Sequence, residues 1–408
     1  MAASRLCDAL NNNGVKAKML VSHKQTDDIT VVQLPRTPLL RWHFLWERFV
    51  IFLRLHMKRE RLFEIDIANS GTDITKTREF QEADLIHLHW VNQGMLSTSG
   101  IRKILKSGKP VVWTMHDIWP ATSICHLTLG CRRFTSGCNH CKFLPGGGGR
   151  NDLSAVVWRR KQRMLQGQSL CFVACSHWLE TEAKASALLR GQAVTSIPNP
   201  IDTRIFCPGD RQQARRAEGL PEQDRLLLFI CQRVSNPYKG MSFLIEACQL
   251  LAQQHPQLAS TITVVVLGSH AEEVTNDIPV KSISLGYVSD ERRLASIYRA
   301  ADLFVLPSLS ENLPNTIMEA MACGVPSLAF RVGGIPEEID HKKNGYVAKY
   351  RDAADLAEGI RWTLCDADWQ QLSENAVRKV CHNFSQASVS IRYSELYQQM
   401  IAQKHFKL

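Results

Sequence analysis

The fold of the chain is decided by the stretch Leu303-Phe-Val-Leu-Pro-Ser-Leu-Ser-Glu-Asn-Leu-Pro-Asn-Thr-Ile-Met-Glu-Ala-Met-Ala-Cys-Gly-Val-Pro-Ser-Leu-Ala-Phe330. An apolar strand is predicted to end at Leu306 and a polar loop to follow it. A helix is predicted to begin near Pro314, because proline beside asparagine and threonine is typical of a first helical turn. Gly324-Val-Pro ends that helix before the next strand. Short apolar runs alternate with helical stretches along the whole chain, which predicts parallel sheets covered by helices.

Two glutamates in this stretch, Glu311 and Glu319, are candidate ligand-binding residues. Glu311 follows the strand directly, and Glu319 lies more than one turn into the helix. In an open parallel sheet, ligands bind beyond the carboxyl ends of the strands, and free N–H groups of a first helical turn favour an anion such as a diphosphate. Carboxylates beside an anion site suit the hydroxyl groups of a phosphorylated sugar, although glutamates at this spacing are also common on surface helices.

A second polar segment follows the predicted strand Leu226 to Ile230. Its sequence is Cys231-Gln-Arg-Val-Ser-Asn-Pro-Tyr-Lys-Gly240. Arg233 offers a bidentate guanidinium and Lys239 a compact positive charge, and both suit phosphate oxygens. The alternative is a solvated basic turn.

Both segments resemble the donor site of the retaining glycosyltransferases of family 4 (GT4), which have the GT-B fold. The Glu-x7-Glu pattern of that family matches Glu311 and Glu319. The similarity extends to three further segments: Pro198-Asn-Pro-Ile-Asp-Thr-Arg-Ile-Phe206, Gly333-Gly-Ile-Pro-Glu-Glu-Ile-Asp340 and Asn344-Gly-Tyr346. It covers nearly the whole chain and is most specific between residues 298 and 346.

The resemblance implies a role for each matched residue. Glu319 is expected to bind the ribose of the nucleotide, Glu311 the donor sugar, and Arg233 and Lys239 the diphosphate. The family has four residues between that arginine and lysine, whereas this chain has five, so Lys239 departs from the usual spacing. The implied donor-binding residues are Arg233, Lys239, Glu311, Asn312, Leu313, Asn315, Thr316 and Glu319.

The architecture that the resemblance implies is α/β, with two facing Rossmann-like domains. Residues 1–203 would bind the acceptor, residues 204–385 the nucleotide sugar, and residues 386–408 would form a helix that returns to the first domain. The implied reaction is sugar transfer with retention, from a nucleotide-diphosphate sugar to a glycan or lipid-linked acceptor in cell-surface polysaccharide or lipopolysaccharide synthesis. No cofactor is expected for catalysis, because basic groups and a helix N-terminus neutralise the departing phosphate.

The beginning of the chain departs from a doubly wound domain, which normally opens with a strand and a Gly-rich turn. Residues 3–12 are instead predicted to form a helix that ends at Gly14. The first domain is therefore expected to lack its opening strand. Either the fold begins with a helix, or the chain is truncated at its N-terminus, and we favour the second explanation.

The candidate ligand of the first domain is His116, in Trp113-Thr-Met-His-Asp-Ile-Trp-Pro120 directly after a predicted strand. At that position a histidine suits a sugar hydroxyl or a developing charge. Family members keep a histidine here near the transferred sugar, so the predicted catalytic residues are His116, Lys239 and Glu311. His87 and His89, at the end of the preceding strand, are second-tier candidates for which a structural role is favoured.

Residues 36–61 combine basic and aromatic side chains. Apolar residues recur at helical spacing from Trp42 to Leu53, and basic residues from Arg36 to Arg61 surround them. Such a helix could lie on an anionic membrane surface. The alternative is a packed helix with a basic, solvated face.

Composition narrows the functional classes. The net charge of +10 favours an anionic partner such as phosphate, nucleic acid or acidic lipid. The apolar runs are far shorter than the roughly 20 residues of a membrane span, the start has no signal-peptide pattern, and the scattered cysteines indicate a reducing compartment. We expect a cytoplasmic protein, at the inner face of the cytoplasmic membrane.

Three alternatives to an active glycosyltransferase are an inactive truncated relative, a zinc-ribbon nucleic-acid binder and a sugar-phosphate epimerase.

A cysteine-rich segment follows His116. Four thiols, Cys125, Cys131, Cys138 and Cys141, lie within seventeen residues, and the last two form a Cys-x-x-Cys knuckle. This spacing predicts a structural zinc site, with a disulfide pair or plain packing of small thiols as alternatives.

Metal analysis tests the zinc prediction. Purified, reduced protein is expected to contain about one zinc per chain, because four thiolates complete a tetrahedral site. The double variant Cys138→Ser/Cys141→Ser is expected to lose that zinc, whereas Cys365→Ser/Cys381→Ser, outside the segment, keeps it. An active, reduced sample without zinc would end this prediction.

Overall fold

The computed structural model describes residues 2–34 and 38–405, and the chain divides into two compact units. The first consists of Ala3–Ile197 together with the chain from Ser390, and the second is Pro198–Val389. The sequence-based boundaries fall after residues 203 and 385, and the end of the last predicted helix, 406–408, lies outside the described residues. None of the described helices combines the length and apolar character that crossing a bilayer requires.

Parallel strands form the centre of the first unit. They are β1 (Met19–Val21), β2 (Val31–Gln33), β3 (Ile86–Leu88), β4 (Val111–Met115), β5 (Cys171–Ala174) and β6 (Ala193–Ser196). Strands β3-β4-β5-β6 form one sheet in that order, and β1 and β2 form a separate parallel pair. Every residue of β4 and β5 is buried, as in parallel strands covered on both faces. The short β2 was not predicted, because its three residues carry no clear periodicity.

Helices connect these strands, and polar caps fix where several of them begin. They are α1 (Ala2–Asn12), α2 (Pro38–Arg54), α3 (Arg78–Glu82), α4 (Thr98–Lys106), α5 (Leu153–Leu165) and α6 (His177–Lys184). Ser97, Asp152 and Ser176 each accept a hydrogen bond from a backbone N–H of the first turn of α4, α5 and α6. The first predicted helix, residues 3–12, corresponds to α1.

Helix α2 exposes the aromatic stripe of its sequence, while Ile51 packs into the core. Trp42 and Phe49 are 56% and 50% exposed, whereas Glu47 and Arg48 on the other face are buried. The alternative of a packed helix with a basic, solvated face holds only in part, because Arg41 and Arg54 are exposed but Arg48 is buried and the aromatic stripe faces solvent. Arg36, counted in the basic segment, lies outside the described residues.

The second unit contains a six-stranded parallel sheet. Its strands are β7 (Arg225–Arg233), β8 (Ile262–Ser269), β9 (Lys281–Gly286), β10 (Leu303–Leu306), β11 (Ser327–Phe330) and β12 (Gly345–Ala348). They are ordered β12-β11-β10-β7-β8-β9. The order of a doubly wound nucleotide-binding sheet results, and it reverses between β7 and β10. The strands predicted at Leu226 to Ile230, up to Leu306 and after Gly324-Val-Pro correspond to β7, β10 and β11.

Helices also connect the strands of the second unit. They are α7 (Arg211–Glu218), α8 (Met241–Gln254), α9 (Pro256–Ser260), α10 (Glu272–Thr275), α11 (Glu291–Ala300), α12 (Asn315–Ala322), α13 (Ile335–Glu338), α14 (Ala353–Arg361) and α15 (Trp369–Asn383). The final helix, α16 (Gln386–His405), begins in the second unit and belongs to the first from Ser390.

A buried ion pair ties α7 to this sheet. Arg215 donates from Nη2 to Asp302 Oδ2 at 2.6 Å and from Nε to the carbonyl of Ala300 at 2.9 Å. Asp302 Oδ2 also accepts the backbone N–H of Leu226 at 2.7 Å. Both charged side chains are almost completely buried, and Arg211 adds a second ion pair to Asp302 at 2.7 Å, so Asp302 is the counter-charge that holds both arginines.

We expect Asp302→Asn to lower the free energy of unfolding by about 3–5 kcal/mol, because it leaves the buried Arg215 guanidinium without a counter-charge. The control is Arg216→Ala, whose ion pair with Glu222 is exposed and should contribute about 0–1 kcal/mol. Urea unfolding followed by circular dichroism measures both. Equal, small effects would show that the buried pair does not stabilise the unit.

Candidate functional site

The candidate donor site lies at the carboxyl edge of the second unit's sheet, where the strand order reverses. Strands β7 and β10 pair there in parallel, with Leu303 opposite Leu227 and Phe304 opposite Leu228. Arg233 ends β7, Lys239 follows it in a short 3₁₀ turn, and Glu311 lies in the loop after β10. Loops that leave such neighbouring strands in opposite directions open a crevice suited to a ligand.

An ion pair joins the two loops. Lys239 Nζ lies 2.6 Å from Glu311 Oε1, and both side chains are partly buried. The extra residue before Lys239 is accommodated in an ordered turn. Asn236 Oδ1 accepts the N–H of Tyr238, and the carbonyl of Tyr238 accepts the N–H of Leu309 across the two loops. The predicted companions Lys239 and Glu311 are therefore brought into direct contact.

Two glycines allow neighbouring backbone segments to pack closely against the loop that carries Glu311. Gly240 and Gly333 adopt φ angles of +73° and +57°. A Cβ atom on Gly240 would lie 1.8 Å from the carbonyl oxygen of Pro307, and one on Gly333 would lie 1.9 Å from that of Glu311. Both the conformation and the space at these positions therefore require glycine.

Glu319 is held inside the unit by α12. It is 4% exposed, and Tyr298 donates from its hydroxyl to Glu319 Oε2 at 2.9 Å. Tyr298 itself is completely buried in α11. Tyr298 is not predictable as this partner, since an aromatic residue on an amphipathic helix carries no signal beyond packing.

The remaining predicted donor residues lie around the start of α12. Among the described residues no side chain caps this helix, whose N-cap position is Pro314. Asn315 Oδ1 accepts a hydrogen bond from Asn199 Nδ2 at 3.1 Å, and the carbonyl of Asn312 accepts the N–H of Gly334. Leu313 is buried and Thr316 is half-buried at the first turn.

Arg233 is the least integrated of the predicted donor residues. It is exposed, and its Nε donates to Ser235 Oγ at 3.0 Å. The structure thus brings Lys239 and Glu311 together, whereas the guanidinium of Arg233 turns to its own loop.

A further carboxyl group, that of Glu338, lies near Glu311 and was not predicted from the sequence. Glu338 is completely buried, and neither of its carboxyl oxygens has a hydrogen-bond partner among the described residues. Burial, together with the nearby charge of Glu311, raises the pKa of Glu338 well above its usual value, which favours the neutral acid. Nothing in the sequence distinguishes it from its half-buried neighbour Glu337.

In the first unit, His116 lies directly after β4 in a group of half-buried imidazoles. Its Nε2 is 2.9 Å from His89 Nδ1, and its Nδ1 is 3.6 Å from Cys175 Sγ. Burial lowers the pKa of His116 to about 4, so its imidazole is neutral near pH 7. His87 is bound on both ring nitrogens, by Tyr397 and Thr114, and is a structural link to α16.

The neighbouring Asp117 belongs to a charged chain. His126 Nδ1 lies 2.8 Å from Asp117 Oδ2, and His126 Nε2 lies 2.6 Å from Asp66 Oδ2. Arg48 of α2 forms an ion pair with Asp66. Burial disfavours the charge of His126, but the hydrogen bonds to Asp117 and Asp66 outweigh it and raise the pKa of His126 to about 9. In the sequence, His126 is marked only by its place in the cysteine-rich segment, beside Cys125.

The four thiols of the predicted zinc site are free in the structure. Burial raises the pKa of Cys138 to about 12 and that of Cys141 to about 11, which favours the protonated thiol. Within residues 2–34 and 38–405, no three His, Cys, Asp or Glu side chains are grouped as a metal site. The structure thus offers no preformed zinc site, and zinc remains a prediction from the spacing.

Two family models match the chain. Residues 3–205 match the model described as Glycosyltransferase Family 4, and residues 224–366 match the model described as Glycosyl transferases group 1. Together they cover most of both units.

Curated relatives and solved structures agree with these matches. A D-inositol 3-phosphate glycosyltransferase of Catenulispora acidiphila is 30% identical over 241 residues, which are 54% of this chain and 55% of the relative. The chain thus spans about half the length of the curated relatives it matches.

Among solved structures, sucrose-phosphate synthase from Thermosynechococcus elongatus superposes with a TM-score of 0.68 at 19% identity, over 98% of this chain and 93% of that one. HepE from Anabaena, solved with UDP, gives a TM-score of 0.57 at 19% identity, over 78% and 79% of the two chains. These likenesses establish the GT-B fold. With this fold and both family models matched in sequence order, the chain belongs to family 4 of the glycosyltransferases.

Proposed function

We propose that the chain transfers a sugar, with net retention of anomeric configuration, from a nucleoside-diphosphate sugar to a glycan or lipid-linked acceptor. The observation that carries the proposal is the 2.6 Å ion pair between Lys239 and Glu311 at the reversal of strand order. A cation for phosphate and a carboxylate for hydroxyl groups stand side by side at the edge where such sheets bind ligands. The buried Glu319 follows on the next helix.

Each donor residue has a role in this proposal. Lys239, Arg233 and the first N–H groups of α12 bind the diphosphate, and they neutralise the charge that develops on it as it departs. Glu319 accepts hydrogen bonds from the ribose, with its orientation fixed by Tyr298. Glu311 contacts the sugar ring. His116, in the first unit, is proposed as a sugar ligand, since a neutral imidazole suits a hydroxyl.

Relatives support the donor class. HepE from Anabaena was solved with UDP and with UDP-glucose, and the Catenulispora relative is named as a glycosyltransferase of inositol 3-phosphate. We extend the proposal to cell-surface polysaccharide or lipopolysaccharide synthesis in the cytoplasm, at the inner face of the cytoplasmic membrane. The basic, aromatic α2 supports this setting.

A donor screen tests the proposed function. UDP-, GDP- and ADP-sugars are each added to the purified chain, and thermal unfolding is recorded. One nucleotide class is expected to raise the unfolding midpoint in a concentration-dependent way, because a ligand that binds only the folded state stabilises it. If no nucleotide sugar or free nucleoside diphosphate shifts the midpoint, the donor site is not functional.

Glu319→Ala is expected to weaken binding of that donor about 10-fold or more, because the ribose hydroxyls lose a buried acceptor. Isothermal titration calorimetry provides the dissociation constant. Glu374→Ala, an exposed glutamate on α15, is the control and should bind the donor normally. Unchanged affinity in Glu319→Ala would remove this residue from the ribose site.

Lys239→Ala is expected to lower the turnover number about 100-fold, with a smaller loss of donor affinity, because the ammonium group stabilises the departing diphosphate more than the bound donor. Release of nucleoside diphosphate from the donor, measured in single-turnover and steady-state assays, separates the two effects. The exposed Lys349→Ala serves as the matched control. A normal turnover number for Lys239→Ala would exclude it from catalysis.

A further inference from the structure

Helix α2 presents a continuous apolar stripe to solvent. Its members recur at spacings of three, four and seven residues and are between 41% and 56% exposed: Trp42, Leu45, Trp46, Phe49 and Leu53. The rings of Trp42 and Trp46 stack, with centroids 5.9 Å apart. Isolated exposed apolar residues are ordinary, whereas a continuous stripe on one helix indicates an interaction surface.

The buried face of α2 fixes this orientation. Glu47 Oε1 accepts the backbone N–H groups of Ile67 and Ala68 at 2.8 and 2.7 Å. Arg48 donates to the carbonyl of Leu62 at 2.7 Å and pairs with Asp66. Rotating the helix to bury its aromatic stripe would break these bonds and leave buried charges unpaired, at a large cost. The stripe therefore stays outward.

Charge along the helix identifies the partner. Arg41 comes one residue before Trp42, and Arg54 comes one residue after Leu53. Because successive residues of a helix are about 100° apart around its axis, the two arginines lie on opposite sides of the apolar stripe. Both arginines are exposed, and Lys58 and Arg59 continue the basic character beyond the helix. The one acidic residue of α2, Glu47, is buried. An apolar, tryptophan-containing centre with basic edges matches an anionic bilayer, where indoles lie at the headgroup level and arginines meet phosphates.

We propose that the α2 surface, made of Trp42, Leu45, Trp46, Phe49 and Leu53 with Arg41 and Arg54 at its edges, docks on an anionic phospholipid bilayer. The helix lies in the interface with its apolar stripe among the headgroups and acyl boundary. The docking proposal rests on the proposed function, in which the acceptor can be lipid-linked. It deepens that function by naming the residues that face the membrane.

Within the first unit, the same helix reaches the loop that carries His116. Arg48 binds Asp66, Asp66 binds His126, and His126 binds Asp117, the residue after His116. Gly94, in the loop that follows β3, also packs so closely on α2 that a Cβ atom would lie 2.5 Å from the backbone nitrogen of Phe44. A bilayer on the α2 surface is therefore connected by buried ionic contacts to the loop after β4.

Vesicle co-sedimentation of the full chain tests the docking surface. Vesicles of phosphatidylcholine alone are compared with vesicles that also contain phosphatidylglycerol. The wild type is expected to bind the anionic vesicles preferentially. Trp42→Ser/Trp46→Ser should weaken binding about 10-fold or more, since the bilayer can then no longer bury the two exposed indoles. Arg41→Glu/Arg54→Glu should lower binding to the anionic vesicles to a similar extent, at roughly fivefold per basic residue removed.

Matched variants separate this surface from general charge and hydrophobicity. Arg159→Glu/Arg160→Glu makes the same change in net charge on exposed residues of α5, and Trp178→Ser removes an exposed tryptophan of α6. Both should bind vesicles like the wild type. Equal loss in these controls, or normal binding by the α2 variants, would overturn the proposal. The proposal would also be overturned if the chain bound no vesicles and instead formed a concentration-dependent dimer, seen by light scattering, that the α2 substitutions abolish.

The donor-induced thermal shift keeps this test distinct from that of the proposed function. The α2 variants should retain the wild-type shift and circular dichroism spectrum, because none of the altered residues lies in the second unit. Vesicle binding without any donor-induced shift would uphold the docking surface and contradict the donor site. A donor-induced shift without vesicle binding would uphold the donor site and contradict the docking surface.

Discussion

Parallel strands that lie side by side send their connecting loops out at the same edge of the sheet, and where the strand order reverses the loops part and leave room for a ligand. In the second unit this happens between β7 and β10, and the candidate donor residues follow from it. Lys239 comes from one loop and Glu311 from the other, joined at 2.6 Å. Gly240 and Gly333 make the arrangement possible, since any side chain there would collide with the backbone of the Glu311 loop.

Histidines in the first unit show how surroundings decide the state of one residue type. His126 lies between Asp66 and Asp117, and these carboxylates hold it in the charged form despite burial. His116, only ten residues away in sequence, lies against His89 and Cys175, where the effect of burial outweighs the nearby charge of Asp117 and favours the neutral imidazole. A neutral imidazole, which we propose as a sugar ligand, and a charged structural link therefore lie on the same loop.

Helix α2 reverses the usual distribution of side chains, with an ion pair on the buried face and tryptophans outside. The inversion is stable because Glu47 and Arg48 find backbone partners and a carboxylate in the interior, which offsets the cost of burying their charges. The exposed aromatic stripe and the attachment to the His116 loop are thus properties of one helix. In our proposal, the surface that docks on the bilayer is therefore joined to the interior of the first unit.

The sequence by itself determined the alternation of strands and helices, the loop position of Glu311 and the helical position of Glu319, because hydrophobic periodicity and helix caps are local signals. It did not reveal the partner of Glu319, Tyr298, which lies 21 residues earlier in the chain, nor the burial of Glu338. It also left open which face of α2 is buried. Those features depend on contacts between residues distant in sequence, and only the tertiary structure, by fixing which groups lose water and which find a partner, decided them.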